Sequence, residues 1–123
     1  MHLATRQVGD VSVIDVTSRN IGGHAPSIRD AVQRLHAEGK IRIVLNLAGL
    51  EYLDSAGLGD LVTCNIRSAQ SGRPLKVAAI QPRIEQLLRT TRLATTFDRY
   101  TTVEEAIAGY GGGAPETTPA GRE

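Results

Sequence analysis

Aromatic side chains are nearly missing from this 123-residue chain, which has three Tyr, one Phe and no Trp. Stacking platforms for nucleic-acid bases are therefore excluded, and no cluster of Lys and Arg interleaves with what aromatics there are. Charge of one sign is missing too. Lys and Arg together number 14 against 13 Asp and Glu, a net charge of +1, so no electrostatic footprint for a polyanion is present. The lone Cys64 excludes an internal disulfide and agrees with a reducing compartment. His2, His24 and His36 are scattered with no second Cys and no helical pairing, so a zinc site is not expected. No apolar run approaches membrane-spanning length, and Met1–Arg6 lacks the apolar core of a signal peptide. The expectation is a cytoplasmic domain that neither inserts into a membrane nor binds nucleic acid, with no cofactor and no metal.

What is present is a regular alternation of β-prone and helical patterns. Leu3–Val8 and Val11–Thr17 are two short β-prone runs joined by Gly9-Asp10, which supports a sharp connection. Ser18–His24 is a loop by composition. Ser27 then caps a helix with Asp30 three residues on. Ile28, Ala31, Val32 and Leu35 make its apolar stripe, and Gly39 is placed to end it. Ile41–Ala48 is almost continuously apolar, as for a strand covered on both faces.

A second helix is predicted from Leu58, with Leu58, Leu61, Val62, Ile66 and Ala69 as its stripe and an end near Gly72. Leu75–Ile80 reads as a strand. Pro82 opens a helix carrying Ile84, Leu87 and Leu88, and Thr95–Thr101 forms a short strand. Thr102 and Glu105 make a capping box for a last helix. The order β-β-α-β-α-β-α-β-α predicts a single α/β domain over residues 1–110. It should be built on one mostly parallel or mixed sheet of four to five strands, with about four helices packed on it. Residues 111–123, rich in Gly, Pro and Thr, read as a disordered tail.

Chemistry concentrates in Asp54-Ser55-Ala56-Gly57-Leu58-Gly59, between the apolar strand and the second helix. A nucleophile elbow needs Gly two residues before and two after its serine. Gly57 meets the second demand, but Leu53 stands at the first. No G-x-x-x-x-G-K-[ST] run exists, and the dinucleotide pattern begun by Gly57 and Gly59 fails at Val62. Hydrolase and nucleotide-cradle readings fall away, and no enzymatic activity is expected. A serine at a helix N-terminus lies near unpaired N–H groups and the positive end of the helix dipole, where an anion is stabilised. Ser55 is then either an ordinary helix cap or the acceptor of a reversible phosphate. Asp54 could cap the helix alone. Two glycines in a first turn lower helix propensity by about 1 kcal/mol each, which points to close packing or a flat docking surface. Cys64 reads as a core residue, Asn46 as a satisfied polar group at an edge or strand end, and Glu51 and Asp60 as solvated flanks.

The residues Val44-Leu45-Asn46-Leu47 and Leu53-Asp54-Ser55-Ala56-Gly57-Leu58-Gly59 resemble the signature of STAS domains, specifically the anti-sigma factor antagonists. The similarity runs on through Leu75–Ile80, the Pro82 helix with Leu87-Leu88, and Leu93 to Phe97, covering about residues 3–108. It implies a non-catalytic domain whose serine, matching Ser55, is phosphorylated by an anti-sigma factor that is also a serine kinase. In this family the unphosphorylated form binds that partner and frees a sigma factor, and a separate phosphatase resets the phosphorylated form. The implied partner surface comprises Asp54–Gly59 with Asn20, Ile21 and Gly22 of the preceding loop. That loop usually carries a Gly-acid-hydrophobic-Asp pattern, whereas Ser18–His24 has no carboxylate. The departure keeps a second implied role in view, an adaptor subunit of a transporter or signalling complex that docks through the same helix without phosphorylation.

Overall fold

The computed structural model describes residues 2–17, 27–70, 72 and 75–110. The expected tail and the loop holding Asn20, Ile21 and Gly22 lie outside the described residues. The elements are β1 (His2–Val8), β2 (Val11–Thr17), α1 (Ile28–Ala37), β3 (Ile43–Gly49), α2 (Ser55–Gln70), β4 (Lys76–Ala78), α3 (Pro82–Thr90), β5 (Asp98–Tyr100) and α4 (Val103–Ala108). Their order is the one the patterns predict. The boundaries differ: α2 begins three residues earlier, at Ser55, β3 starts two residues later and ends one residue later, and β4 and β5 are trimmed.

The five strands form one mixed sheet in the order β1-β2-β3-β4-β5. β1 and β2 pair antiparallel through a two-residue connection, with Val8 opposite Val11 and Gly9 at φ +61°. The other three pairings are parallel, with Ile14 beside Leu45, Leu45 beside Val77 and Val77 beside Arg99.

Alternation along the strands builds two cores on opposite faces. Ile14, Val16, Ile43, Leu45, Leu47 and Val77 pack beneath α1, α2 and α3, contacting Val32, Leu61, Ile84 and Leu88. On the other face Val11, Val13, Val44 and Ala78 pack against Val103 and Ala106 of α4. β3 is thus covered on both sides, which accounts for its apolar run.

The caps follow the sequence. Ser27 Oγ accepts the Asp30 N–H at 3.1 Å, and Gly39 ends α1 at φ +82°. Thr102 Oγ1 accepts the Glu105 N–H at 3.1 Å, while the Glu105 carboxylate accepts the N–H of Thr101. The tyrosine that follows α4 ties it to the central strand, since the Tyr110 hydroxyl donates to the Ile43 carbonyl at 2.9 Å. Lys76, almost wholly buried, pairs with Asp98 and lies 4.9 and 4.7 Å from the ring centres of Tyr100 and Tyr110.

Candidate functional site

The serine motif begins where β3 ends, and that end is pinned from two sides. Asn46 Oδ1 accepts the Ala48 N–H at 3.1 Å, and the Gln81 side-chain amide, at the start of α3, donates to the Ala48 carbonyl. The other end of the Asn46 amide donates to Asp15 Oδ1 at 2.7 Å, and Arg6 Nε donates to Asp15 Oδ2 at 2.9 Å. A polar chain therefore crosses β1, β2 and β3 on the α4 face and finishes at the turn into the motif. Asn46 is satisfied, as expected, but it lies on the central strand and not on an edge. Burial pushes the Asp15 carboxyl upward, and the Arg6 and Asn46 hydrogen bonds overcome this and hold it below the usual carboxylate range.

From there Leu50 and Leu53 plug the core, the first fully buried and the second nearly so. They anchor residues 50–54, while Tyr52 between them stands out into solvent, 69% exposed. Asp54 then caps α2: its Oδ1 accepts the Gly57 N–H at 2.7 Å, and its carbonyl accepts the Leu58 N–H at 2.9 Å. Ser55 is the first residue of α2 and is exposed, and its hydroxyl forms no hydrogen bond with the described residues. The structure thus separates two roles that the sequence left joined, because the cap is Asp54 and Ser55 is free of it.

The two glycines also separate. A Cβ on Gly57 would lie 2.6 Å from Leu53 Cδ1, so Gly57 is there for close packing. A Cβ on Gly59 would meet nothing within 4 Å, so Gly59 leaves a bare stretch of helix facing outward. Of the other motif residues, Ala56 is exposed and Leu58 is half-buried against the core. Asp54–Gly59 are therefore brought together at one helix start, and the described residues do not include Asn20, Ile21 or Gly22 to complete the surface.

The buried seam of α2 keeps the first half of the predicted stripe, with Leu58, Leu61 and Val62 against the core, and departs from it in the second half. Leu61, Cys64, Asn65 and Ser68 face inward, while Ile66 and Ala69 are exposed. Spacing of i, i+3, i+4 and i+7 is kept, but the seam is shifted around the helix. Asn65 is held by donating to the Thr96 carbonyl at 3.2 Å. The outward face consequently runs from Ser55 through Gly59 to Ile66. At 100° and 1.5 Å per residue, Ile66 sits about 20° round and about 16 Å along from Ser55. Asp60, expected on the solvated face, is half-buried with Arg29 at 4.0 Å. Cys64 is buried, and burial together with the Asp60 carboxylate pushes its thiol up to about 11.

Among the described residues no three His, Cys, Asp or Glu side chains gather as metal ligands, and no helix is long and apolar enough to cross a membrane. What the geometry defines is a presentation site: an exposed hydroxyl at the head of a helix, on a mixed α/β sandwich with three helices on one face and one on the other. The STAS domain family matches residues 2–106, and the chain belongs to that family. Its fold is similar to that of an anti-sigma factor antagonist from Mycobacterium paratuberculosis, at 24% identity and a TM-score of 0.69 over 87% of this chain and 91% of the other. It is also similar to the Bacillus cell-fate determinant SpoIIAA in its phosphorylated form, at 17% identity and a TM-score of 0.59 over 88% and 98%. A third likeness is to the murine anion transporter Slc26a9, at 10% identity and a TM-score of 0.61, covering 85% of this chain but 18% of the transporter.

Proposed function

We propose that this STAS domain is an anti-sigma factor antagonist whose Ser55 is a reversible phosphate acceptor. The observation that carries the reading is the unengaged, exposed Ser55 hydroxyl on a helix already capped by Asp54. The similarity to SpoIIAA, whose fold is known in phosphorylated and unphosphorylated forms, supports it. The partner is an anti-sigma factor with serine kinase activity, docking on Asp54–Gly59 and the loop bearing Asn20, Ile21 and Gly22. A phosphatase restores the hydroxyl, and the protein acts in the cytoplasm on transcription without catalysis of its own.

Phosphorylation adds a charge of about −1.5 to −2. Within the domain the α2 dipole favours it by ~0.3–1 kcal/mol, and the neighbouring Asp54 carboxylate opposes it, so the fold is barely affected. Buried unpaired in an interface, the same charge costs on the order of 3–5 kcal/mol. At ~1.4 kcal/mol per decade, affinity falls by hundreds to thousands of times. The interface effect dominates, and the modification switches binding while leaving the fold intact.

The test is binding to the co-purified native partner, with phosphate mapped by mass spectrometry. Ser55→Asp is expected to fold and lose the partner, and Ser55→Ala to fold and stay bound. Equal binding by both variants rejects the switch. A second reading, an adaptor that docks through α2 without phosphorylation, is favoured by the likeness to a segment making up 18% of an anion transporter. Recovery with a transporter and an unmodified Ser55 under every growth condition would select it.

A further inference from the structure

We propose that the outer edge of β1 accepts an extended, acidic strand from another protein, independently of the Ser55 surface. β1 is an edge strand seven residues long, paired in unbroken register with β2 from His2↔Thr17 to Val8↔Val11. Edge strands are ordinarily guarded by shortness, proline, a bulge or outward charge. The opposite edge, β5, has three residues, but β1 has no proline and no bulge against β2. Its one ionised side chain, Arg6, is turned onto the sheet face to pair with Asp15 at 2.9 Å.

The two-residue connection makes Val8 and Val11 a hydrogen-bonded pair. Alternation from that pair turns the N–H and C=O groups of Leu3, Thr5 and Gln7 away from β2, on a side where no described strand pairs with them. The same three side chains line one wall of a groove of about 470 Å³ between β1 and α1, whose other wall includes Ala31, Leu35 and Arg34. Leu3 and Ala31 are half-buried there and Leu35 is buried, which leaves a shallow apolar floor.

Charge selects the occupant. Arg34 and Lys40 on the α1 wall stand against the single carboxylate of Glu38, which is 3.6 Å from Lys40, while the Arg6 charge is engaged by Asp15 on the opposite face of the sheet. Arg34 is exposed and forms no ion pair among the described residues. Two β1 edges paired about a two-fold axis would join two such cationic grooves, and like charges oppose that. A strand that adds backbone hydrogen bonds at Leu3, Thr5 and Gln7, and sets a carboxylate opposite Arg34, satisfies both the edge and the charge.

The probe is a synthetic peptide of threonines in which every second residue alternates between valine and glutamate, with a lysine-for-glutamate control. Binding to the full chain is followed by amide hydrogen exchange and fluorescence anisotropy. The acidic peptide is expected to bind and to slow exchange at Leu3, Thr5 and Gln7. Arg34→Glu is expected to weaken it roughly three- to tenfold. Thr5→Pro, which removes an outward N–H and no bond to β2, is expected to abolish the protection. Equal binding of the lysine peptide, binding without protection at those amides, or no binding overturns the proposal. So does a concentration-dependent dimer of the free chain that protects the same amides, since the occupant would then be a second copy.

Discussion

Asp54 Oδ1 lies 2.7 Å from the Gly57 backbone nitrogen, and this single hydrogen bond decides how the adjacent serine is to be read. A carboxylate at the N-cap satisfies an otherwise orphaned N–H and meets the positive end of the α2 dipole. Ser55, one residue further, is left with no structural task.

The cap assignment predicts unequal effects from neighbouring substitutions. Asp54→Ala should lower stability by about 0.5–2 kcal/mol, the usual loss for an N-cap. Ser55→Ala should stay within roughly 0.5 kcal/mol of the parent. Urea denaturation of the two variants measures the difference, and a larger loss for Ser55→Ala would return the cap to the serine.

The motif glycines should respond in opposite directions. Gly57→Ala places a methyl 2.6 Å from Leu53 Cδ1, and because Leu53 is buried it cannot swing clear. Overpacking of this kind costs about 1–3 kcal/mol. Gly59→Ala enters open space and should stabilise the domain by about 0.5–1 kcal/mol through helix propensity. If Gly59 belongs to the docking surface, the same methyl should weaken partner binding, so thermal stability and affinity would move oppositely.

Acid should reveal the cluster on the other face of the sheet. Asp15 has its ordinary value of 3.8 lowered in the fold, so between the two values the unfolded chain binds more protons than the folded one. The stabilisation is complete above about 3.8 and is lost as pH falls through the lower folded value. Asp15→Asn should flatten the dependence of unfolding free energy on pH below about 4. An unchanged slope would show that Arg6 and Asn46 do not act on the carboxylate.

Cys64 should be inert in the folded protein. Its thiol is buried and pushed up to about 11, so at pH 8 roughly one part in a thousand is thiolate. Ellman's reagent should label it only as fast as the domain opens, with the rate rising steeply in urea. Fast labelling of the native protein would place the thiol at the surface.

Element order could be read along the chain because each element announces itself locally. Ile28, Val32 and Leu35 repeat at helical spacing, Ser27 and Thr102 stand where their oxygens can cap, and β3 is apolar throughout because both of its faces are covered. The serine motif was legible for the same reason, as a helix start after a buried strand. Leu58, Leu61 and Val62 of α2 face the core as predicted, but the inward seam of its second half was not legible. Hydropathy favours Ile66 and Ala69, yet the neighbours of α2 bury Cys64, Asn65 and Ser68, a choice made by packing and by the Thr96 carbonyl that receives Asn65. The pairing of Asp15 with Asn46, 31 residues apart, was equally out of reach, because only the parallel register of β2 on β3 brings them together. Spacing within a segment carries periodicity and capping. Which face is buried, and which distant polar groups meet, depends on how the segments stack, and there the tertiary structure alone freed Ser55 and turned Ile66 outward.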